Sequence, residues 1–393
     1  MKTRINVAMP GRRWRTAAVK DGRPRAASGI LERKCADAAP KRGAQERNYA
    51  MKTHMTRFTI LALVLTMALS LVACMAQTPA KNPAEEAAPT AAENGAAGYT
   101  VGVIQFGSHP SLDNCYAGVA EALEAADAAM TIDLQNGNFD VPTCDSIAKN
   151  MVSRSYDLIV AIATPAALSA YSAAANTDIP VIFCAVSDPV AAGLADTAEQ
   201  PGGNCTGTSD VLDLSAQLAL IQSMQPDVQK IGVLYTTSEA NSVSQLAKLT
   251  ALAEDAGVEI VSVGVQSAAD IPQAAAGLCP QVDCVNNFTD NNVVSNLAIL
   301  LEQANAAGIP VYGSEEEQVQ NGCLACVGID YVALGRETGD MARAVLGGAD
   351  AATMPVRQIT DATPVFNVDV LAALSMELPG AYANAEMVTA AVE

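Results

Sequence analysis

At 393 residues, with 50% hydrophobic and only 17% charged side chains, the chain is long enough for more than one core and too apolar to be disordered throughout. Its net charge of −19 hides an asymmetry: residues 1–73 hold 15 of the 23 basic side chains and 4 of the 42 acidic ones, leaving 8 basic and 38 acidic groups, net −30, beyond them. A polyanion of that size repels nucleic acid at long range, which excludes nucleic-acid binding as the role of this larger part.

Residues 1–50 are Arg-rich without apolar periodicity and are expected to be a mis-assigned start or a disordered leader, since Met51 and Met55 stand just ahead of an export-like segment. Residues 51–73 read as a secretory signal: Arg57, then an apolar run from Phe58 to Ser70, then Leu71-Val72-Ala73 before Cys74. Roughly 16 apolar-leaning residues are short for a membrane span, which needs about 20. The ending resembles a bacterial lipobox, which implies that Cys74 is lipidated and anchors the chain to a membrane. Residues 74–98 are rich in Ala, Pro, Glu and Asn and are expected to be a disordered tether. The 295 residues from Tyr99 exceed the size at which single cores stop growing, so two lobes are expected.

From Tyr99 short β-branched runs alternate with longer stretches of helical period, the pattern of a parallel-sheet α/β fold. Strands are predicted at 100–106, 130–134, 158–162 and 181–185, with helices at 113–129 and 144–153 capped by Asp113 and Thr143. The alternation then restarts, with strands at 231–235, 259–263, 284–288 and 311–312 and helices at 242–256, 271–278 and 292–307. Ile179-Pro180 and Ile309-Pro310 hold matching places in the two arrays. A further amphipathic helix, 334–346, and an extended stretch at 364–368 close the chain. Two doubly wound lobes of this kind face each other at the carboxyl ends of their strands, where ligands bind.

Eight cysteines follow Cys74, and close spacing makes Cys279 with Cys284 and Cys323 with Cys326 the expected disulfides if any form. A single Cys-X-X-Cys without a second pair or a nearby histidine is a weak zinc signal, so no metal is expected, and no cofactor motif is present. His109 is the one histidine after the signal, which leaves a catalytic triad a single candidate base. The chain is therefore not expected to be an enzyme.

Gly102 to Phe106 with His109-Pro110, Ile162 to Ala166, Val186 to Val190, Pro201 to Asn204, and Thr206 to Asp210 form an ordered series of segments. Ile231 to Tyr235, Ser238 to Ser242, Thr289 to Asn291, Gly328 to Tyr331 and Leu334 to Gly339 continue it. In order and spacing the series resembles the ABC transporter substrate-binding family of type I periplasmic-binding-protein fold, often assigned to aromatic amino acids. The resemblance implies a two-lobed receptor whose chain crosses between lobes three times, near Thr208, Gly328 and Met354. The first lobe would then comprise 99–208 and 328–354, and the second 209–327 and 355–393. Phe288 before Thr289, where the family often has proline, and the acidic run Glu315 to Glu317 depart from the pattern.

The candidate ligand residues lie on strand-to-helix loops. Thr164-Pro165-Ala166 and Ser238-Glu239 with Asn241 have the form of helix starts, whose free N–H groups suit a carboxylate. Asp188, Asp210, Asp290 and Glu315 are expected to face one crevice, where a cationic group on the ligand would relieve their repulsion. Phe106 and Tyr235 could form aromatic walls, with His109 and Asn291 lining the cleft. The expected function is capture of a small solute, an amino acid by its charges and aromatic by the resemblance, and its delivery to ABC permease subunits. A ligand sensor feeding a membrane sensor kinase and a thiol oxidoreductase using Cys323 and Cys326 are the alternatives.

Overall fold

The structure is a computed structural model that describes residues 98–389 except 127, 360 and 361. The leader, the signal segment, Cys74 and residues 75–97 lie outside the described residues. The first array forms β1 (Tyr99–Gln105), α1 (Pro110–Glu124), β2 (Met130–Asn136), α2 (Val141–Ser153), β3 (Leu158–Ile162), α3 (Thr164–Ala174), β4 (Val181–Cys184) and β5 (Cys205–Ser209). These strands pair in parallel in the order β5-β4-β3-β1-β2. β3 and β4 are buried along their whole length while the edge strand β2 is not, as helices on both faces of a parallel sheet require.

The second array forms α4 (Leu214–Met224), β6 (Lys230–Thr236), α5 (Ala240–Asp255), β7 (Glu259–Val265), α6 (Ile271–Leu278), β8 (Cys284–Asn286), α7 (Asn291–Val294), α8 (Leu297–Ala307), β9 (Val311–Tyr312) and α9 (Glu316–Gln320). Its parallel sheet has the order β7-β6-β8-β9. The rest of the chain forms β10 (Ala325–Gly328), α10 (Tyr331–Leu346), β11 (Arg357–Gln358), β12 (Thr363–Asn367), α11 (Val368–Ala373) and β13 (Glu386–Val388). β12 pairs antiparallel with β10 and parallel with β13. Backbone bonds from Gly313 to Ala325 and from Leu324 to Val311 tie this small sheet to β9.

The helix from Tyr331 returns to the first lobe and packs along α1. A Cβ at Gly118 would fall on the Val332 carbonyl oxygen, and one at Gly335 on that of Cys115, so only glycine allows the two backbones this close. The third crossing lies later than expected. β11 pairs with β5, and Thr206 Oγ1 donates to the Met354 carbonyl at 2.7 Å, so residues through 358 stay with the first lobe. The chain therefore passes to the second lobe between Gln358 and Thr363 rather than at Met354.

Two helix starts and the continuity of a third helix also differ from the sequence expectation. α1 begins at Pro110, and Asp113 lies within its first turn, accepting from Gln105 Nε2 at 2.6 Å and from Ser108. Asp140, not Thr143, caps α2, accepting from the Thr143 N–H at 2.9 Å. The expected helix 292–307 is broken at Ser295 and Asn296 into α7 and α8.

All eight described cysteines are free, buried thiols. Cys279 packs with Ile271 and Leu278, whereas Cys284 packs in a different cluster with Leu220 and Ile231, so the first expected pair is not joined. Cys323 and Cys326 likewise remain thiols, filling the apolar core beside Val319 and Val365. Burial pushes both thiols up, away from the thiolate form that redox exchange needs.

Candidate ligand-binding site

The carboxyl ends of β1, β3 and β4 face those of β6 and β8 across a narrow cleft, with Asp210, just past β5, and Tyr331, at the start of α10, as its floor. A cavity of about 10 Å³ lies there, walled by His109, Leu112, Ala163, Thr164, Ala185 and Ser187 of the first lobe. Asn241, Thr289, Asn291 and Glu315 wall it from the second lobe, and Asp210 and Tyr331 from the hinge. Little more than one water would fit between walls this close, so a larger solute enters only as the lobes part.

The lobes are held together by polar contacts on either side of the cavity. On one side Ser111 Oγ donates to Glu315 Oε2 at 2.7 Å, and Asn114 Nδ2 donates to Glu317 Oε1 at 2.6 Å. On the other, Lys248 Nζ and Ser244 Oγ both donate to Asp188 Oδ2 at 2.6 Å. These hydrogen bonds can exist only in a closed arrangement.

Local backbone geometry keeps the first-lobe wall open. Ala163, at the end of β3, has φ 78° and ψ 152°, and Ala185, just past β4, has φ 55°. Non-glycine residues rarely adopt these conformations, and here both strained residues border the cavity with the smallest side chain. α3 then begins at Thr164, a wall of the cavity, without a side-chain cap, and its second residue, Pro165, carries no N–H.

The electrostatics of the floor are those of an unpaired acid. Asp210 is buried and its carboxyl is pushed up to about 7, by burial first and by the nearby Glu315 charge, against the pull of the Ser187 and Tyr331 hydroxyls. Tyr331 OH donates to Asp210 Oδ2 at 3.1 Å, while Asp210 Oδ1 makes no hydrogen bond, the Ser187 hydroxyl standing near the carboxyl but outside hydrogen-bond geometry. Burial also raises Glu315, opposed by hydrogen bonds from Ser111 and Gln318. Burial lowers His109 to about 4, so its ring is neutral at physiological pH.

Three buried side-chain atoms on this cavity lack partners: Asp210 Oδ1, Asn241 Oδ1 and His109 Nδ1. All three are acceptors. The histidine assignment follows from its neighbours: Asn291 gives its amide nitrogen to Glu239 at 2.6 Å, so its carbonyl oxygen faces His109 Nε2 at 3.5 Å. Nε2 then carries the proton and Nδ1 a lone pair. Orphaned buried acceptors are costly unless a donor arrives from a ligand.

Of the residues singled out in the sequence, His109, Thr164, Asp210, Asn241, Asn291 and Glu315 meet at this cavity. The others do not. Phe106 is core, edge-on to Phe139 at 5.7 Å, and Tyr235 packs around Leu214 and Val233, so no pair of aromatic walls forms. Pro165 and Ala166 are buried within α3's packing, and Ser238 is exposed. Asp188 bridges the lobes instead of facing the cavity. Asp290 is consumed inside the second lobe, accepting from the Thr236 backbone and hydroxyl, from Ser242 Oγ and from the Val293 N–H. Glu239 lies behind the wall, bonded to Asn241, Asn291 and Asn292.

Sequence reasoning passed over Leu112, Ala163, Ala185, Ser187, Thr289 and Tyr331 as walls. Ser187 and Tyr331 lie within segments that carry the family resemblance, Val186 to Val190 and Gly328 to Tyr331, but nothing local in the sequence shows that they face inward. A larger open groove of about 940 Å³ runs along the hinge side between Val211, Leu252, Val327 and Tyr382. Its polar members do not converge: Asp213 caps α4, and Lys248 holds Asp188. Among the described residues no group of three or more His, Cys, Asp or Glu is placed to hold a metal ion.

Comparison with known proteins agrees with this architecture. The family model described as ABC transporter substrate binding protein matches residues 100–385. A tyrosine-binding protein of Clostridioides difficile is 41% identical over 281 residues, 70% of this chain and 81% of that protein. The crystal structure of an ABC domain in complex with L-Trp from Streptococcus pneumoniae superposes with a TM-score of 0.72 at 34% identity, covering 74% of this chain and all of that one. The ligand-free, open structure of a substrate-binding protein with adhesive properties from Clostridium difficile gives 0.58 at 39% identity, over 75% of this chain and all of that one. The better fit to the complex despite lower identity accords with the closed cleft. With a type I periplasmic-binding-protein-like fold and a family match over most of its length, the chain belongs to the ABC transporter substrate-binding protein family.

Proposed function

We propose that this protein is the extracytoplasmic receptor of an ABC importer, anchored through lipid on Cys74, and that its lobes close on a free α-amino acid. The observation that carries the ligand class is the set of three orphaned acceptors, Asp210 Oδ1, Asn241 Oδ1 and His109 Nδ1, around one cavity. An ammonium group has three N–H donors and a charge that the Asp210 carboxylate lacks a partner for. The uncapped start of α3 beside Thr164 suits the α-carboxylate, through its N–H groups and the helix dipole. Relatives that bind tyrosine and tryptophan support an aromatic side chain. The large negative charge beyond residue 73 keeps such a receptor soluble beside a membrane.

Titration calorimetry of the purified protein with L-tyrosine, L-tryptophan, L-phenylalanine, L-leucine and L-lysine, and with 3-(4-hydroxyphenyl)propionate, tests this reading. The aromatic amino acids are expected to bind tightest. The deaminated acid, which keeps the ring and carboxylate, should bind at least 100-fold more weakly than L-tyrosine, about 2.7 kcal/mol. Equal binding of the two would remove the ammonium assignment, and heat from none of the amino acids would remove the ligand class.

A further inference from the structure

Glu239 makes more hydrogen bonds to this site than any group that touches the cavity, yet it is not one of the cavity's walls. Its Oε2 accepts from Asn291 Nδ2 at 2.6 Å, from the Asn291 N–H at 3.1 Å and from Asn241 Nδ2 at 3.3 Å, and Oε1 accepts from the Asn292 N–H at 3.2 Å. Burial and the Asp290 charge push this carboxyl up to about 8; above that pH it only accepts, and both asparagines must then turn their NH2 groups toward it, as the distances show. Asn241 Nδ2 is further committed to the Thr289 carbonyl at 3.0 Å. What remains for the cavity is the carbonyl oxygen of each amide.

We propose that Glu239 is a positioning residue that sets the donor and acceptor polarity of the ligand site, by fixing the amide orientation of Asn241 and Asn291. Asn241 thereby offers its oxygen to the ligand. Asn291 offers its oxygen to His109 Nε2, which places the ring proton there and leaves Nδ1 as an acceptor on the cavity. One buried carboxylate thus determines two of the three acceptors that meet the ammonium, without touching it. The proposal rests on the reading of the cavity as an amino-acid site.

Glu239→Gln is nearly isosteric but brings an NH2 group into the carboxylate's place. At least one asparagine must then flip or lose its bond, and a donor replaces an acceptor opposite the ammonium. At pH 8.5, where the wild-type carboxyl is ionised, the affinity for L-tyrosine is expected to fall tenfold or more, while that for 3-(4-hydroxyphenyl)propionate, which has no ammonium, stays within about threefold of wild type. The preference for the amine over its deaminated analogue therefore shrinks, a change that general loosening of the cleft, weakening both ligands alike, would not produce. A folded Glu239→Gln protein that keeps the wild-type preference overturns the proposal. A wild-type protein with no such preference instead overturns the reading of the site, and the proposal falls with it. Should the variant not fold, the wild-type protein decides: the side-chain amide protons of Asn241 and Asn291 are expected to exchange with solvent at least 100-fold more slowly than those of exposed asparagines such as Asn138. Rapid exchange at both would overturn the assignment.

Discussion

Asp210→Asn is expected to weaken binding of L-tyrosine by about 30-fold to several-thousand-fold, the 2–5 kcal/mol characteristic of removing one member of a buried, hydrogen-bonded charge pair. The substitution preserves shape, and the amide oxygen can still accept from Tyr331 OH as Oδ2 does at 3.1 Å. What it removes is the charge facing the ammonium from a site where Asp210 is only 3% exposed. Because an unpaired buried carboxylate is itself costly, the unliganded variant should be no less stable than wild type in urea. Calorimetry and urea unfolding together check this. Wild-type affinity in the variant would place the ammonium elsewhere, and lost stability with lost binding would make Asp210 a hinge support instead.

The second large effect is on pH. Without ligand, Asp210 titrates near 7, and the ligand binds its carboxylate form. An amino acid keeps its ammonium through and below that range, so the share of affinity owed to Asp210 should be level above pH 7 and fall about tenfold per unit below it, roughly 30-fold by pH 5.5. Glu315 and Glu239, whose carboxyls are also raised by burial, reinforce the same direction, and His109, at about 4, stays neutral across the window. Stability of the unliganded protein runs the opposite way. A carboxyl raised in the folded state contributes stability that is fully present at low pH and is lost as pH rises from the ordinary carboxylate range through about 7. Calorimetry at half-unit steps should show the decline in wild type and a flatter profile in Asp210→Asn. A profile that rises as pH falls would contradict the charge assignment.

Much of the scaffold was legible because parallel strands between helix layers must be apolar on both faces. The runs 158–162 and 311–312 coincide with β3 and β9, and 271–278 with α6. The ends of elements were less legible, since caps depend on which of several polar residues is closest to the first turn: Asp140 outcompetes Thr143 because Val141 and Pro142 can open α2. The late third crossing was hidden for a different reason. A two-residue strand, β11, leaves no periodicity to read, and its place is fixed only by pairing with β5.

For the site, the sequence gives loop membership but not direction. Asp188, Asp210, Asp290 and Glu315 all sit on the expected loops, yet one latches the lobes, one organises α7 and only two meet the cavity. Phe106 and Tyr235 end strands as ligand-facing aromatics would, but helices cover both sheet faces, and each ring turns into that packing. The chemistry that most constrains the ligand, three acceptors without donors, arises from hydrogen bonds across 48 to 182 positions of sequence. No local pattern records such contacts.

A crystal structure of the protein grown with L-tyrosine tests the central claim most directly. The ammonium nitrogen is expected at about 2.7–3.2 Å from Asp210 Oδ1, His109 Nδ1 and Asn241 Oδ1, with the carboxylate against the start of α3 at Thr164. An amino acid bound with its ammonium turned away from Asp210, or lodged in the hinge-side groove near Val211 and Tyr382, would contradict it.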